Sequence, residues 1–413
     1  MPMFTRRTRL SIFAAVALVF GAALPASADV YRRSEWWLTD YGVTRAWRTA
    51  TGEGITIAII DSGIEGDHSD LTGQIIGGTD MSGIGSPDGQ TLLSPNKDHG
   101  TKVASLAAGH GSGSHGVMGT APGAKLLSVS VSFDRGDSTT DQQVADGVNW
   151  AVDHGADIIV MSFVMNRPWW TPEWDKAFLK AEKAGVLIVA AAGNRGNGTT
   201  SIGSPATIPG VLAVGGVTRS GKVSSFASTP GSTIGVVAAS ERLPGSIPGG
   251  GREFWNGTSG AAPIVAGIAA LVMEAHPELD TANIVNRILV TADPVGKVGN
   301  IKYGWGIIDA YGAVTADVPD VESNPLGTIA EWIPLHRFVE WESTAVPLTV
   351  PDPIADETLV VSQEANSRAN LERTWVNVIT PVAAIGGLVG SFTMVLFGFV
   401  RRLVLARTRA VTR

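Results

Sequence analysis

Five runs of apolar and β-branched residues punctuate the first half of the chain: 55–60 (ITIAII), 125–131, 157–161 (DIIVM), 186–191 (VLIVAA) and 211–217. Four of them are continuous, while 125–131 (KLLSVSV) carries serines at 128 and 130. Continuous runs of this length predict parallel strands buried on both faces. Between them, 141–154 and 172–184 carry apolar residues at helical spacing, which predicts amphipathic helices. Strands separated by helices of ten to fifteen residues imply βαβ crossovers and a mostly parallel sheet with helices on both faces. The predicted architecture of the region from about residue 31 to 314 is therefore α/β.

The pattern differs at the two ends. Arg6, Arg7 and Arg9 precede an uncharged run at 10–24, and Ala26-Ser27-Ala28 follows with small residues. That order predicts a signal peptide over 1–28, cleaved after Ala28. Residues 376–400 form 25 positions without a charge, followed by Arg401, Arg402, Arg407, Arg409 and Arg413. At about 1.5 Å of rise per residue the run exceeds a hydrocarbon core of roughly 30 Å. It predicts a transmembrane helix with the basic tail, 401–413, in the cytoplasm and the rest outside the cell. Before it, 317–375 holds eleven acidic residues, three arginines and six prolines without sustained periodicity, as an acidic extracellular spacer would. Trp332, Phe338 and Trp341 mark places where this spacer could pack back. The domain proper is then 29–316.

Composition narrows the chemistry. A net charge of −7 gives no reason to expect nucleic-acid binding, and the absence of cysteine excludes thiol catalysis and Cys-ligated zinc. Asp67, Asp70, Asp80 and Asp88 match no calcium-loop spacing, so no metal and no cofactor is expected.

Three segments sit at the edges of predicted elements. Ile59-Ile60-Asp61-Ser62-Gly63 puts a carboxylate at the end of a buried strand. Asp98-His99-Gly100-Thr101 opens an apolar helix with an imidazole. Gly257-Thr258-Ser259-Gly260-Ala261-Ala262-Pro263 starts a long helix of small residues reaching about Ala275. A serine needs an imidazole to take its proton, and the imidazole needs a carboxylate to fix its tautomer. Asp61, His99 and Ser259 are candidates for those roles. Asp98 is adjacent to His99 on a helix, where neighbouring side chains diverge. The other six histidines lack comparable surroundings and fit surface or loop positions; for His68 a structural role is favoured. Taken singly, Asp61 could cap a turn and Ser259 a helix. A fourth segment, Ala190-Ala191-Ala192-Gly193-Asn194, ends a strand with an amide able to join the Ser259 backbone N–H as an oxyanion donor.

The order Asp, His, Asn, Ser with these flanks resembles the subtilisin-like serine proteases, the subtilases, over about residues 43–314. The resemblance implies a three-layer subtilisin-like fold. It also implies an acyl-enzyme mechanism in which Asp61 orients, His99 is base and acid, Ser259 attacks and Asn194 stabilises the oxyanion. With its signal peptide, acidic spacer and single span the chain looks most like the mycosins, the membrane-bound subtilases of type VII secretion systems. That implies a protein or peptide substrate, the cell membrane and a secretion complex as partners. Two departures follow. The 32 residues between the expected cleavage point and Asp61 leave no room for a folded inhibitory prodomain. Where the family has glycines beside the substrate, Ser162 is followed by Phe163 and Val164. With Ala192 and Gly193 these are the expected substrate-binding residues, and the side chains predict a narrowed groove with slow, selective cleavage. The alternative is a weakly active or inactive subtilase-like domain serving as a structural component of a membrane secretion complex.

Overall fold

A computed structural model describes residues 29–93, 95–134 and 136–337. Within it, seven parallel strands form one sheet in the order β2-β5-β1-β6-β7-β8-β9. They are β1 (Thr56–Asp61), β2 (Ile75–Asp80), β5 (Lys125–Ser130), β6 (Ile158–Met161), β7 (Leu187–Ala191), β8 (Leu212–Val217) and β9 (Ile234–Ala239). Two antiparallel hairpins lie outside it: β3 (His110–Ser112) with β4 (His115–Met118), and β10 (Leu243–Ile247) with β11 (Gly251–Trp255). Three short helices, α1 (Val30–Ser34), α2 (Trp37–Asp40) and α3 (Val43–Ala46), lead into the sheet. The predicted α/β architecture is the observed one.

Successive strand side chains point to opposite faces, and β1 divides accordingly. Ile57 and Ile59 enter one apolar core with α4 (His99–Ala108), α7 (Thr258–Ala275) and α8 (Thr281–Val290). Ala58 and Ile60 enter a second core with α5 (Thr140–Asp153) and α6 (Pro172–Lys183). The three layers follow from that alternation. By the same parity Asp61 falls on the side of Ile57 and Ile59, where α4 begins with His99. The chain order reverses around β1, which lies between β5 and β6; in open α/β sheets such a reversal opens a crevice at the carboxyl ends of the strands.

Helix α7 is apolar and long enough to cross a membrane by composition, yet it is buried from Thr258 to Val272 and is the central helix of the domain. The span expected at 376–400, the signal peptide at 1–28 and the spacer beyond residue 337 lie outside the described residues. Up to 337 the chain runs against the domain through α9 (Ala310–Thr315) and α10 (Ile329–His336). Ile329 is buried, and the Trp332 ring packs on Trp170 at 4.6 Å between centroids. Arg337 donates from Nε to Asp175 Oδ2 at 2.5 Å and from Nη2 to Oδ1 at 3.0 Å.

Two strands, β2 and β9, and both hairpins escape the sequence pattern. β2 lies at a sheet edge, is half-exposed and contains Gly77 and Gly78, so it carries no sustained apolar run. The buried run in β9 is framed by Gly-, Ser- and Pro-rich turns that resemble a loop.

Candidate active site

β1 delivers Asp61 to the carboxyl edge of the sheet almost fully buried. Its Oδ1 accepts the Ser62 backbone N–H at 2.7 Å, and both carboxylate oxygens lie 2.9 Å from His99 Nδ1. A carboxylate only accepts, so the proton sits on Nδ1 and Nε2 keeps its lone pair. The approach of α4 to the Asp61 turn depends on Gly100. A Cβ there would lie 2.2 Å from the Gly63 carbonyl oxygen, which explains the small residue directly after the histidine.

The imidazole is only partly covered, with 24% of its side chain exposed. Burial alone would lower its pKa. The Asp61 charge and hydrogen bond outweigh that effect and hold the pKa above the ordinary 6.5. On its other side the Trp255 ring stands edge-on at 5.7 Å and 79°. Lys102, one turn along α4, lies over the Trp255 ring and pairs with Asp98 and Glu253.

Ser259 is the second residue of α7, and Pro263 stands four positions later inside the same helix. Proline has no N–H, so the Ser259 carbonyl loses its helical partner. Ser162, just beyond β6, supplies a replacement by donating from Oγ to the Ser259 carbonyl at 2.8 Å. In return Ser259 Oγ donates to the Ser162 carbonyl at 2.6 Å. The Ser259 hydroxyl is thus turned toward the segment that follows β6.

Asn194 follows β7. Its Oδ1 accepts the Thr258 N–H at 2.8 Å and the Thr258 hydroxyl at 3.2 Å, while the Gly193 N–H donates to Thr258 Oγ1 at 3.0 Å. Fixing Oδ1 in this way turns Nδ2 to the opposite side. A Cβ on Gly257, where φ is +153°, would lie 3.3 Å from Asn194 Nδ2 and 3.6 Å from the Ser259 nitrogen. Two donors therefore border a space that glycine leaves empty, with Asn194 Oδ1 also 3.6 Å from it.

A cleft of about 350 Å³ joins these groups, lined by His99, Ser259 and Asn194 with Ser162, Phe163, Val164 and Gly193. Ala192, expected in its wall, is instead fully buried with its N–H bonded to the Val214 carbonyl; Ala191 lines the cleft. Strand alternation decides between the two. Asn96, Phe133 and Thr199 also line it and carry no motif that sequence reasoning could use, and the same holds for Trp255 beside it; Thr258, also in the lining, stands in the Ser259 motif, which assigned it no role. His68 is buried rather than superficial: its Nε2 lies 2.9 Å from the Gly251 carbonyl oxygen and its Nδ1 accepts the Asp70 N–H.

One parallel sheet between two helical layers thus brings an aspartate, a histidine, an asparagine and a serine together at its carboxyl edge. The chain belongs to the subtilase family, whose profile matches residues 52–306. It is 35% identical to subtilisin E of Bacillus subtilis (strain 168) over 265 residues, 64% of this chain and 66%, just under two thirds, of that protein. MycP1 from Mycobacterium smegmatis superposes with a TM-score of 0.61 at 27% identity, covering 70% of this chain and 86% of that one. The MycP3 protease from the type VII (ESX-3) secretion system superposes at 0.59 with 28% identity, covering 72% and 90%.

Proposed function

We propose that this chain is a serine endopeptidase anchored in the cell membrane with its catalytic domain outside, selective in its cleavage and linked to type VII-like secretion. The observation that carries the catalytic reading is the His99–Asp61 pair at 2.9 Å in one cleft with Ser259. Neutral His99 takes the Ser259 proton on Nε2 as Oγ attacks the scissile carbonyl. Asp61 steadies the imidazolium that forms, and Asn194 Nδ2 with the Ser259 N–H holds the oxyanion. His99 then passes the proton to the departing amine, and water attacks the acyl-enzyme by the same route. Phe163 and Val164 in the cleft wall support selectivity. The likeness to MycP1 and MycP3, together with the uncharged run at 376–400, supports the anchored, secretion-linked setting.

A second reading, a weakly active domain with a structural role, draws on the orientation of the Ser259 hydroxyl toward Ser162. A fluorophosphonate probe applied to the full chain in membranes distinguishes the two. The proposal expects labelling of wild type and none of Ser259→Ala or His99→Ala, with wild type in the membrane pellet and a chain ending at residue 375 released. A folded wild type that stays unlabelled would move the reading to the structural role. A released wild type would remove the anchor.

A further inference from the structure

At the edge of the sheet opposite His99 and Ser259 the domain holds a second cavity, of about 290 Å³. β7 and β8 are parallel and begin at this amino edge, whereas Asn194 follows the far end of β7. Ile188 in β7, with Val186 and Val211 just before the two strands, forms an apolar floor together with Phe178 and Ile329. The end of α6 and the start of α8 make two walls, through Glu182 and Thr281. The remaining wall comes from 322–328, beyond residue 306, where the match to the family ends. That segment is fastened over Gly210. The Gly210 N–H donates to the Leu326 carbonyl at 3.2 Å, and Asn324 Nδ2 donates to the Gly210 carbonyl at 3.4 Å. The cavity thus depends on residues outside the family match.

Its charged groups are all of one sign. Glu182, Asp280 and Glu322 line it, and no lysine or arginine does. Glu182 accepts the Ile329 N–H at 2.7 Å and the Ala330 N–H at 3.2 Å, and Asp280 caps α8 by accepting from Asn283 N and Nδ2, each at 2.9 Å. The Glu322 side chain is exposed and makes no hydrogen bond among the described residues. None of the three carboxylates forms an ion pair among those residues. Backbone N–H groups occupy lone pairs but leave each carboxylate its charge. An apolar floor holds water poorly, because a trapped water needs several polar partners. The occupant that fits brings an apolar body to the floor and a positive charge to the rim. An apolar anion would face three carboxylates, and a neutral molecule would leave their charge unmatched. We infer that this cavity is a binding site for an organic cation, an ammonium or guanidinium on a short apolar stem, separate from the cleft and independent of the catalytic reading. Glu322 and Thr328 belong to the segment leading to residue 337, and Glu182 and Asp280 to the helices beneath it, so the occupant ties that segment to the domain. A free alkylamine carries this chemistry, and so does a lysine or arginine side chain of a partner protein.

The test uses the full chain in phosphatidylcholine nanodiscs, with empty nanodiscs subtracted, and titrates n-pentylammonium, pentan-1-ol and pentanoate by ligand-observed NMR. The ammonium is expected to bind about threefold or more tightly than the alcohol, the scale of exposed ion pairs, and pentanoate most weakly. Glu322→Gln changes an exposed side chain without hydrogen bonds, so unfolding should match wild type. It is expected to weaken the ammonium about two- to fivefold and leave the alcohol unchanged. Ala282→Phe fills the cavity from α8 and is expected to abolish binding of both. Acetyl-lysine methylamide identifies the source. Saturable binding that Ala282→Phe removes assigns the site to a lysine on a partner protein, and binding of the alkylammonium alone assigns it to a free amine; either result supports the inference. Pentan-1-ol or pentanoate binding as tightly as the ammonium overturns it. So does ammonium binding that is unchanged in either folded variant, or the lack of saturable ammonium binding to wild type.

Discussion

At the scale of single residues the site is governed by what holds His99 and Ser259. The base must be neutral to accept a proton, and Asp61 keeps His99 protonated to higher pH than a free imidazole. kcat/KM should therefore rise with pH along a single-proton limb whose midpoint lies above 6.5, and Asp61→Asn should collapse the limb along with the rate. A pH–rate profile on a peptide without titrating groups measures it; a midpoint below 6.5 would contradict the pairing. The same raised pKa makes the pair a stabilising contact that is complete below the unfolded pKa and is lost as pH rises through the folded one. Ser162 acts at one remove. In Ser162→Ala the Ser259 carbonyl, already deprived by Pro263, loses its remaining donor. A buried carbonyl left unpaired costs about 1–3 kcal/mol, measurable by denaturant unfolding. kcat should fall by more than KM rises, because the change releases the Ser259 side chain while removing only one hydroxyl from the cleft wall.

At the scale of elements, the hairpin β10–β11 is the least expected part and has its own anchor. Arg252 on β11 makes two hydrogen bonds to Asp70, from Nε at 2.7 Å and Nη2 at 2.5 Å, and Asp70 is fully buried. Burial works to raise the Asp70 pKa, but Arg252, Ser246 and the Val117 N–H outweigh it and hold it below 3.8. A depressed carboxylate contributes stability that is present above the unfolded pKa and disappears as pH falls through the folded one. Arg252→Met should thus cost about 3–5 kcal/mol at pH 8, the usual penalty for stranding a buried charge. The loss should shrink near pH 4, where the stranded Asp70 can protonate; thermal unfolding at the two pH values measures the difference. A pH-independent loss would show that packing, not charge, is what Arg252 provides. Since β11 ends at Trp255 against His99, the same change should also lower kcat.

For the whole molecule, the legible parts were those written locally. Buried strands appear as mostly apolar runs, so β1, β5, β6, β7 and β8 could be read to within a residue or two. β2, glycine-rich at its edge, and the hairpins, held by contacts with distant segments, could not. The residues of the candidate site divide in the same way. Asp61, His99, Asn194 and Ser259 stand at element ends inside short flanking patterns, whereas Trp255 and Phe133 reach the site only through neighbours dozens of residues away in sequence. Ala192 and Ala191 show the limit within a single motif, because which of two identical residues faces the cleft depends on strand parity.

The pairing of Ser162 with Ser259 spans 97 residues and has a bearing on biogenesis. An uninterrupted helix would present its serine as soon as the helix formed. Here the proline removes that local support, so the nucleophile gains its seat only when β6 is already in the sheet. Contacts of such separation close late, after the entropy of a long loop has been overcome. On the proposed reading, the chain would gain competence to cut only once its core has assembled, and that competence would report completed folding.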